Sequence, residues 1–151
     1  MTDVTPFLWF DDDLEDAIAF WSGIFPDTGL VEVNRGGDGS VFGGRLRIAG
    51  RTFLALNGGP GHPFTDAISL YVDCADQAEV DRYWTALLDG GTPVACGWIT
   101  DRFGLSWQII PRRLQELLAD PDPVRAKRAM DAMLGMQKID VAGLEAAAEG
   151  R

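Results

Sequence analysis

The sequence predicts an α+β fold: two tandem β-α-β-β-β modules followed by a helical tail. Three observations predict it. The chain nearly repeats itself. Thr5-Pro6-Phe7-Leu8-Trp9-Phe10-Asp11 leads through an acidic turn into a helical pattern ending at Phe20-Trp21, and Ala67-Ile68-Ser69-Leu70-Tyr71-Val72-Asp73 leads through a polar turn into one ending at Tyr83-Trp84. Asp11 answers to Asp73 and Trp21 to Trp84, the mark of a duplicated unit. Each half then continues into short apolar segments divided by glycine-rich turns, which read as strands. From Arg112 onward the pattern becomes helical, punctuated by Asp120-Pro121-Asp122-Pro123.

Val4 to Phe10 reads as the first strand. Asp13 to Phe25 reads as a helix, because Leu14, Ala17, Ile18, Trp21 and Phe25 fall on one face. Pro26 and Gly29 stop it, and Leu30 to Val33 is a short strand. Ser40 to Ile48 and Thr52 to Asn57 form a hairpin about Ala49-Gly50-Arg51. Gly58-Gly59-Pro60-Gly61-His62-Pro63 links the halves. In the second half Ala67 to Val72 is a strand, and Gln77 to Leu88 is a helix with Val80, Tyr83, Trp84, Leu87 and Leu88 on its apolar face. Thr92 to Ala95, Gly97 to Thr100 and Leu105 to Ile110 are strands. Arg112 to Ala119, Pro123 to Met136 and Ile139 to Ala148 are helices, the second started by Asp122 and Pro123. Its stripe of Met130, Met133, Leu134 and Met136 reads as a docking face rather than a cofactor box. Module one spans about 1–60, module two about 64–111 and the tail about 112–151, together one domain.

A chain of 151 residues, 46% hydrophobic and 24% charged, can bury a core of its own. A net charge of −10 opposes binding to nucleic acid or anionic membranes. No apolar run is long enough to span a bilayer, and the N-terminus shows no secretory pattern. Only Cys74 and Cys96 are present, without a pairing motif, which fits a reducing, cytoplasmic setting. No basic or imidazole neighbour in the sequence activates Cys96.

Several segments carry a family resemblance: Thr5-Pro6-Phe7-Leu8-Trp9-Phe10, Phe53-Leu54-Ala55-Leu56-Asn57-Gly58-Gly59, Cys96-Gly97-Trp98, Gly104-Leu105-Ser106-Trp107-Gln108-Ile109 and Leu118-Ala119-Asp120-Pro121-Asp122-Pro123. Together they resemble the PhnB-like, demethylubiquinone methyltransferase-like family of the vicinal oxygen chelate superfamily, which groups glyoxalases, bleomycin-resistance proteins and ring-cleaving dioxygenases. The resemblance implies modules that pair into cup-shaped sheets, and a homodimer. The methyltransferase name finds no support in the residues: no glycine-rich strand-to-helix turn and no doubly wound sheet pattern is present.

In metal-dependent members, His, Glu or Gln ligands stand on the first and last strands of the modules. The resemblance places these positions at Thr5, Ala67, Gln108 and about Ala55. Thr, Ala and Ala cannot build the usual site, Gln108 alone is a weak ligand, and the sole histidine, His62, lies in the linking loop. No metal and no cofactor are therefore expected, and no nucleophile elbow or phosphate loop is present.

Alternation along the strands predicts the lining of a cleft between the modules. Thr5, Phe7, Trp9, Ala67, Ser69, Tyr71, Ser106 and Gln108 are expected to face it. Phe53, Ala55 and Asn57 are expected there too, with Leu54 and Leu56 under a helix, and Trp98 is a further candidate. Aromatic side chains with a few amides and hydroxyls suit a small-molecule pocket, and equally suit a filled core. The expected function is binding of a small organic molecule in a metal-free cleft. The alternatives are a glyoxalase-type lyase or dioxygenase with Gln108, Asn57 and His62 as ligands, and a drug-sequestering resistance protein.

Overall fold

The structure is a computed structural model that describes residues 1–151. The chain divides into two compact units, Met1–Pro63 and Phe64–Arg151. In the first, β1 (Phe7–Phe10), α1 (Leu14–Ser22), β2 (Gly29–Arg35), β3 (Val41–Ile48) and β4 (Arg51–Asn57) follow in order. They form a four-stranded sheet ordered β1-β4-β3-β2, with β1 parallel to β4 and the other pairs antiparallel. The second unit repeats this with β5 (Ser69–Cys74), α2 (Gln77–Leu88), β6 (Thr92–Pro93), β7 (Trp98–Thr100) and β8 (Ser106–Pro111), ordered β5-β8-β7-β6. It adds α3 (Arg112–Leu118), α4 (Pro123–Leu134) and α5 (Val141–Ala148). The α+β class and the duplicated module are both present. No helix is long and apolar enough to cross a membrane.

In each unit one helix covers one face of the sheet. Leu14, Ala17, Ile18 and Trp21 of α1 are buried together with Leu8, Phe10, Leu46 and Phe53 of the strands. In the second unit Val80, Tyr83, Trp84 and Leu87 of α2 are buried, as are Ile99, Trp107 and Ile109. α2 has the sequence bounds predicted for it. Its start is closed on both sides: Asp76 accepts from the Glu79 amide at 3.0 Å and Glu79 accepts from the Ala75 amide at 2.8 Å.

The β3–β4 hairpin turns on two residues, Ala49 and Gly50, with φ of +48° and +79°. Such a turn matches the twist of its flanking strands and sets their register. Ile48 therefore stands opposite Arg51 and Leu46 opposite Phe53.

The tail packs as a separate apolar cluster of Ile110, Leu114, Leu117, Ala129, Ile139, Leu144 and Ala148. Of the predicted methionine stripe, Met133 and Met136 pack against this cluster while Met130 and Leu134 stay exposed. The amide of Gln77 fastens the tail to α2, donating to the Ile139 carbonyl at 3.0 Å and accepting from the Val141 amide at 2.8 Å.

Candidate functional site

Each sheet has a second face that no helix of its own module covers. On the first unit's sheet this open face carries Phe7 and Trp9, since the alternate residues Leu8 and Phe10 are buried toward α1. Partners across a ladder share a face. Phe7 stands opposite Leu54 and Trp9 opposite Leu56, so these two leucines also lie on the open face.

This corrects the reading of β4. Phe53 is 7% exposed and Ala55 2% exposed, both on the helix-bearing face. Asn57 stands opposite Phe10 on that face, where its amide is bonded to Leu14 and Val41. The sequence Thr52-Phe53-Leu54-Ala55-Leu56-Asn57 is apolar in both alternations, so periodicity could not choose between them. A slip of one residue exchanged the faces.

The open face of the first sheet encloses a hollow of about 280 Å³, lined by Phe7, Phe42, Leu54, Leu56, Glu32, Asn34 and Arg45. Arg45 faces Glu32 at 3.6 Å. Phe42 sits where the β2–β3 register shifts between Asn34 and Arg35, and it remains 54% exposed. The floor is Gly43. A Cβ there would come within 2.4 Å of the Ala55 carbonyl oxygen, so close strand approach admits no larger residue. The Gly43-Gly44 pair is the one sequence signal that could have located this hollow.

Trp9, on the same face, is held in place by the loop after β4. Its indole N–H donates to the Gly59 carbonyl at 2.9 Å, and the His62 ring lies against it at a centroid distance of 4.3 Å. Gly58 passes beneath it so closely that a Cβ would fall 2.4 Å from the indole carbons. The glycine-rich segment after β4 thus folds back onto the first strand, and His62 is an exposed ring partner. A second hollow, about 470 Å³, lies beside Asp11, Asp12, Glu15, Ser40, Phe42 and Asn57. Partial burial, and then the carboxylates of Asp12, Asp11 and Asp16, hold the neighbouring Asp13 above the usual carboxylate range.

On the second sheet Tyr71 stands opposite Gln108 and Ser69 opposite Ser106, while Trp98 also pairs with Gln108. These five predicted residues share the open face. Ser106 is buried there, Ser69, Trp98 and Gln108 are half-buried, and Tyr71 is exposed. Gln108 donates to the Ser69 hydroxyl at 2.9 Å. Thr5 and Ala67 precede β1 and β5 instead of lying within them, and Ala67 is exposed in a turn. Cys74 and Cys96 are both free. Burial first, then the nearby carboxylates of Glu79 and Asp73, push the Cys74 thiol up to about 12, which leaves it protonated and unreactive at neutral pH.

Two β-α-β-β-β modules with identical strand order and an open face on each sheet define a glyoxalase-type fold. The family described as 3-demethylubiquinone-9 3-methyltransferase matches residues 2–110, and the chain belongs to this PhnB-like family. A PhnB protein from Bacillus cereus is similar at 26% identity and a TM-score of 0.66, over 73% of this chain and 99% of that one. Protein PA1353 from Pseudomonas aeruginosa shares the fold at 18% identity and a TM-score of 0.59, over 74% and 98%. The fosfomycin resistance protein FosX from Listeria monocytogenes, solved with Mn(II) and sulfate, shares it at 17% identity and 0.54, over 71% and 89%. No curated protein matches the chain.

A metal is implied by part of this superfamily, and the donor set here does not fit one. By ladder position, Gln108 opposite Tyr71 corresponds to Leu56 opposite Trp9. The four positions in question therefore carry Thr5, Leu56, Ala67 and Gln108. No group of three or more His, Cys, Asp or Glu side chains is assembled to hold a metal ion. Nor is either sheet the doubly wound parallel kind that binds nucleotide-like cofactors.

Proposed function

We propose that this PhnB-like protein binds a small, partly aromatic or amphipathic organic molecule on the open faces of its sheets, without a metal. The observation that carries the proposal is the hollow of about 280 Å³ on the first sheet. Its walls combine Phe7, Phe42, Leu54 and Leu56 with the polar groups of Asn34, Glu32 and Arg45, the mixture of apolar surface and few polar groups that small-molecule sites present. Binding, and not a named reaction, is what these groups supply. We further propose a cytoplasmic homodimer. The exposed Phe7 and Phe42 favour a covering partner, and both cysteines being free fits a reducing compartment.

Titration with the amphipathic probe 1-anilinonaphthalene-8-sulfonate tests the binding site. Saturable fluorescence enhancement, weakened by Phe42→Ala and by Leu56→Gln, is expected. Absence of saturation, or equal binding by both variants, refutes the site. Sedimentation equilibrium reads the dimer. Elemental analysis, with Ni, Zn, Mn and Fe titrations followed by thermal shift, tests the absence of a metal. Stoichiometric tight binding would return a lyase or dioxygenase mechanism to first place.

A further inference from the structure

The family match ends at residue 110, and solved neighbours that align over almost their whole length cover only 73% and 74% of this chain. Helices α3 to α5 thus lie beyond the matched stretch, as a C-terminal extension of it. They are firmly built in. Besides the Gln77 contacts, the Cys96 and Gly97 amides donate to the Met136 and Gln137 carbonyls, each at 2.8 Å. From this extension the Gln115 amide reaches back to the open face of the second sheet and donates to the Tyr71 hydroxyl at 3.2 Å.

Two residues earlier on the same face, the Ser69 hydroxyl accepts from Gln108 at 2.9 Å. Each hydroxyl has one proton and two lone pairs. In both, an amide occupies a lone pair, and neither proton is given to an acceptor in the protein. The next residue of this row, Asp73, is engaged by Arg112 at 3.0 Å, so it neither competes for those protons nor stands as an unpaired charge beside them.

We propose that the extension completes a ligand subsite here. Gln115 and Gln108 orient the Tyr71 and Ser69 hydroxyls to donate to an oxygen acceptor, a carboxylate foremost, on a small organic molecule. Tyr71 and Ser69 touch the ligand, while Gln115 is a positioning residue. The proposal rests on the reading of the open faces as binding surfaces, and it names the chemistry one of them selects.

The test follows the side-chain amide resonances of Gln108 and Gln115 by NMR during titration with benzoate, with benzylammonium as control. Benzoate is expected to shift both saturably and benzylammonium neither. Tyr71→Phe, which keeps the ring and removes the donor, should weaken benzoate about tenfold, the size of one hydrogen bond to a charged group. Gln115→Leu should weaken benzoate severalfold while leaving the melting temperature and the binding of 1-anilinonaphthalene-8-sulfonate unchanged, a split that a merely structural role would not give. Equal response to both probes, no saturation, or unchanged affinity in Tyr71→Phe overturns the subsite. If the naphthalene probe still binds in the first sheet's hollow, only the subsite has failed. If it does not, the binding reading beneath has failed with it.

Discussion

The Leu14 amide, at the start of α1, donates to the side-chain oxygen of Asn57 at 3.0 Å. Asp13, the residue in capping position, makes no side-chain cap bond. The helix is thus capped from the end of a distant strand, and the other half of the Asn57 amide donates to the Val41 carbonyl at 3.2 Å. One amide joins β4, β3 and α1.

Asn57→Ala should therefore behave as the loss of a cap. It leaves a helix amide without its acceptor and costs about 1–2 kcal/mol, read as a lower urea midpoint with unchanged slope. An effect under about 0.3 kcal/mol would show that water replaces the amide.

The assignment of faces in the first sheet makes Phe53 and Phe42 opposites. Phe53→Ala should cost about 3–5 kcal/mol, since it empties a packed site against α1. Phe42→Ala, at an exposed position, should cost about 0.5 kcal/mol or less. Exchanged effects would put the strand register off by one. In the second sheet Trp107→Ala against Gln108→Ala makes the same comparison.

Asp101 is a buried carboxylate that accepts from the Phe103 amide at 2.9 Å, from the Leu105 amide at 3.0 Å and from the Trp107 indole at 2.9 Å. Asp101→Ala strands these donors in the turn between β7 and β8. A loss of about 3 kcal/mol or more is expected from chemical denaturation.

Thiol chemistry should separate the two cysteines. Ellman's reagent at pH 8 should reach Cys96 in the native protein and Cys74 only on unfolding, because the Cys74 thiol is pushed up to about 12. The same burial sets a pH dependence. Its folded value lies above the unfolded value of about 9, so the folded state holds the proton more tightly. This contribution to stability is complete below pH 9 and is lost as pH rises toward 12. Cys74→Ala should flatten the alkaline arm of the stability curve.

Gln77→Ala tests how the extension is held. It removes the acceptor of the Val141 amide and the donor to the Ile139 carbonyl, at about 1–2 kcal/mol. Hydrogen exchange should quicken first in α5, while amides in the first sheet stay as they were.

The sequence by itself determined the duplicated β-α-β-β-β module, the bounds of α2 and the faces of β1, β5 and β8. In β5 and β8 polar residues alternate with apolar ones, so burial has only one solution, whereas β1, apolar throughout, takes its face from its repeat in β5. The sequence also identified Gln108 as the one residue of the usual ligand types at the metal positions, because donor chemistry is a matter of residue type. The face of β4 was decided only by the tertiary structure. Both of its alternations are apolar, and its orientation follows from the Ala49-Gly50 turn and the pairing of Leu8 with Ala55. The hollow over Gly43, the capping by Asn57 and the reach of Gln115 to Tyr71 belong to the same class. Each depends on contacts between residues 12 to 44 positions apart, and local sequence preference carries no information about which distant strand or helix will stand opposite.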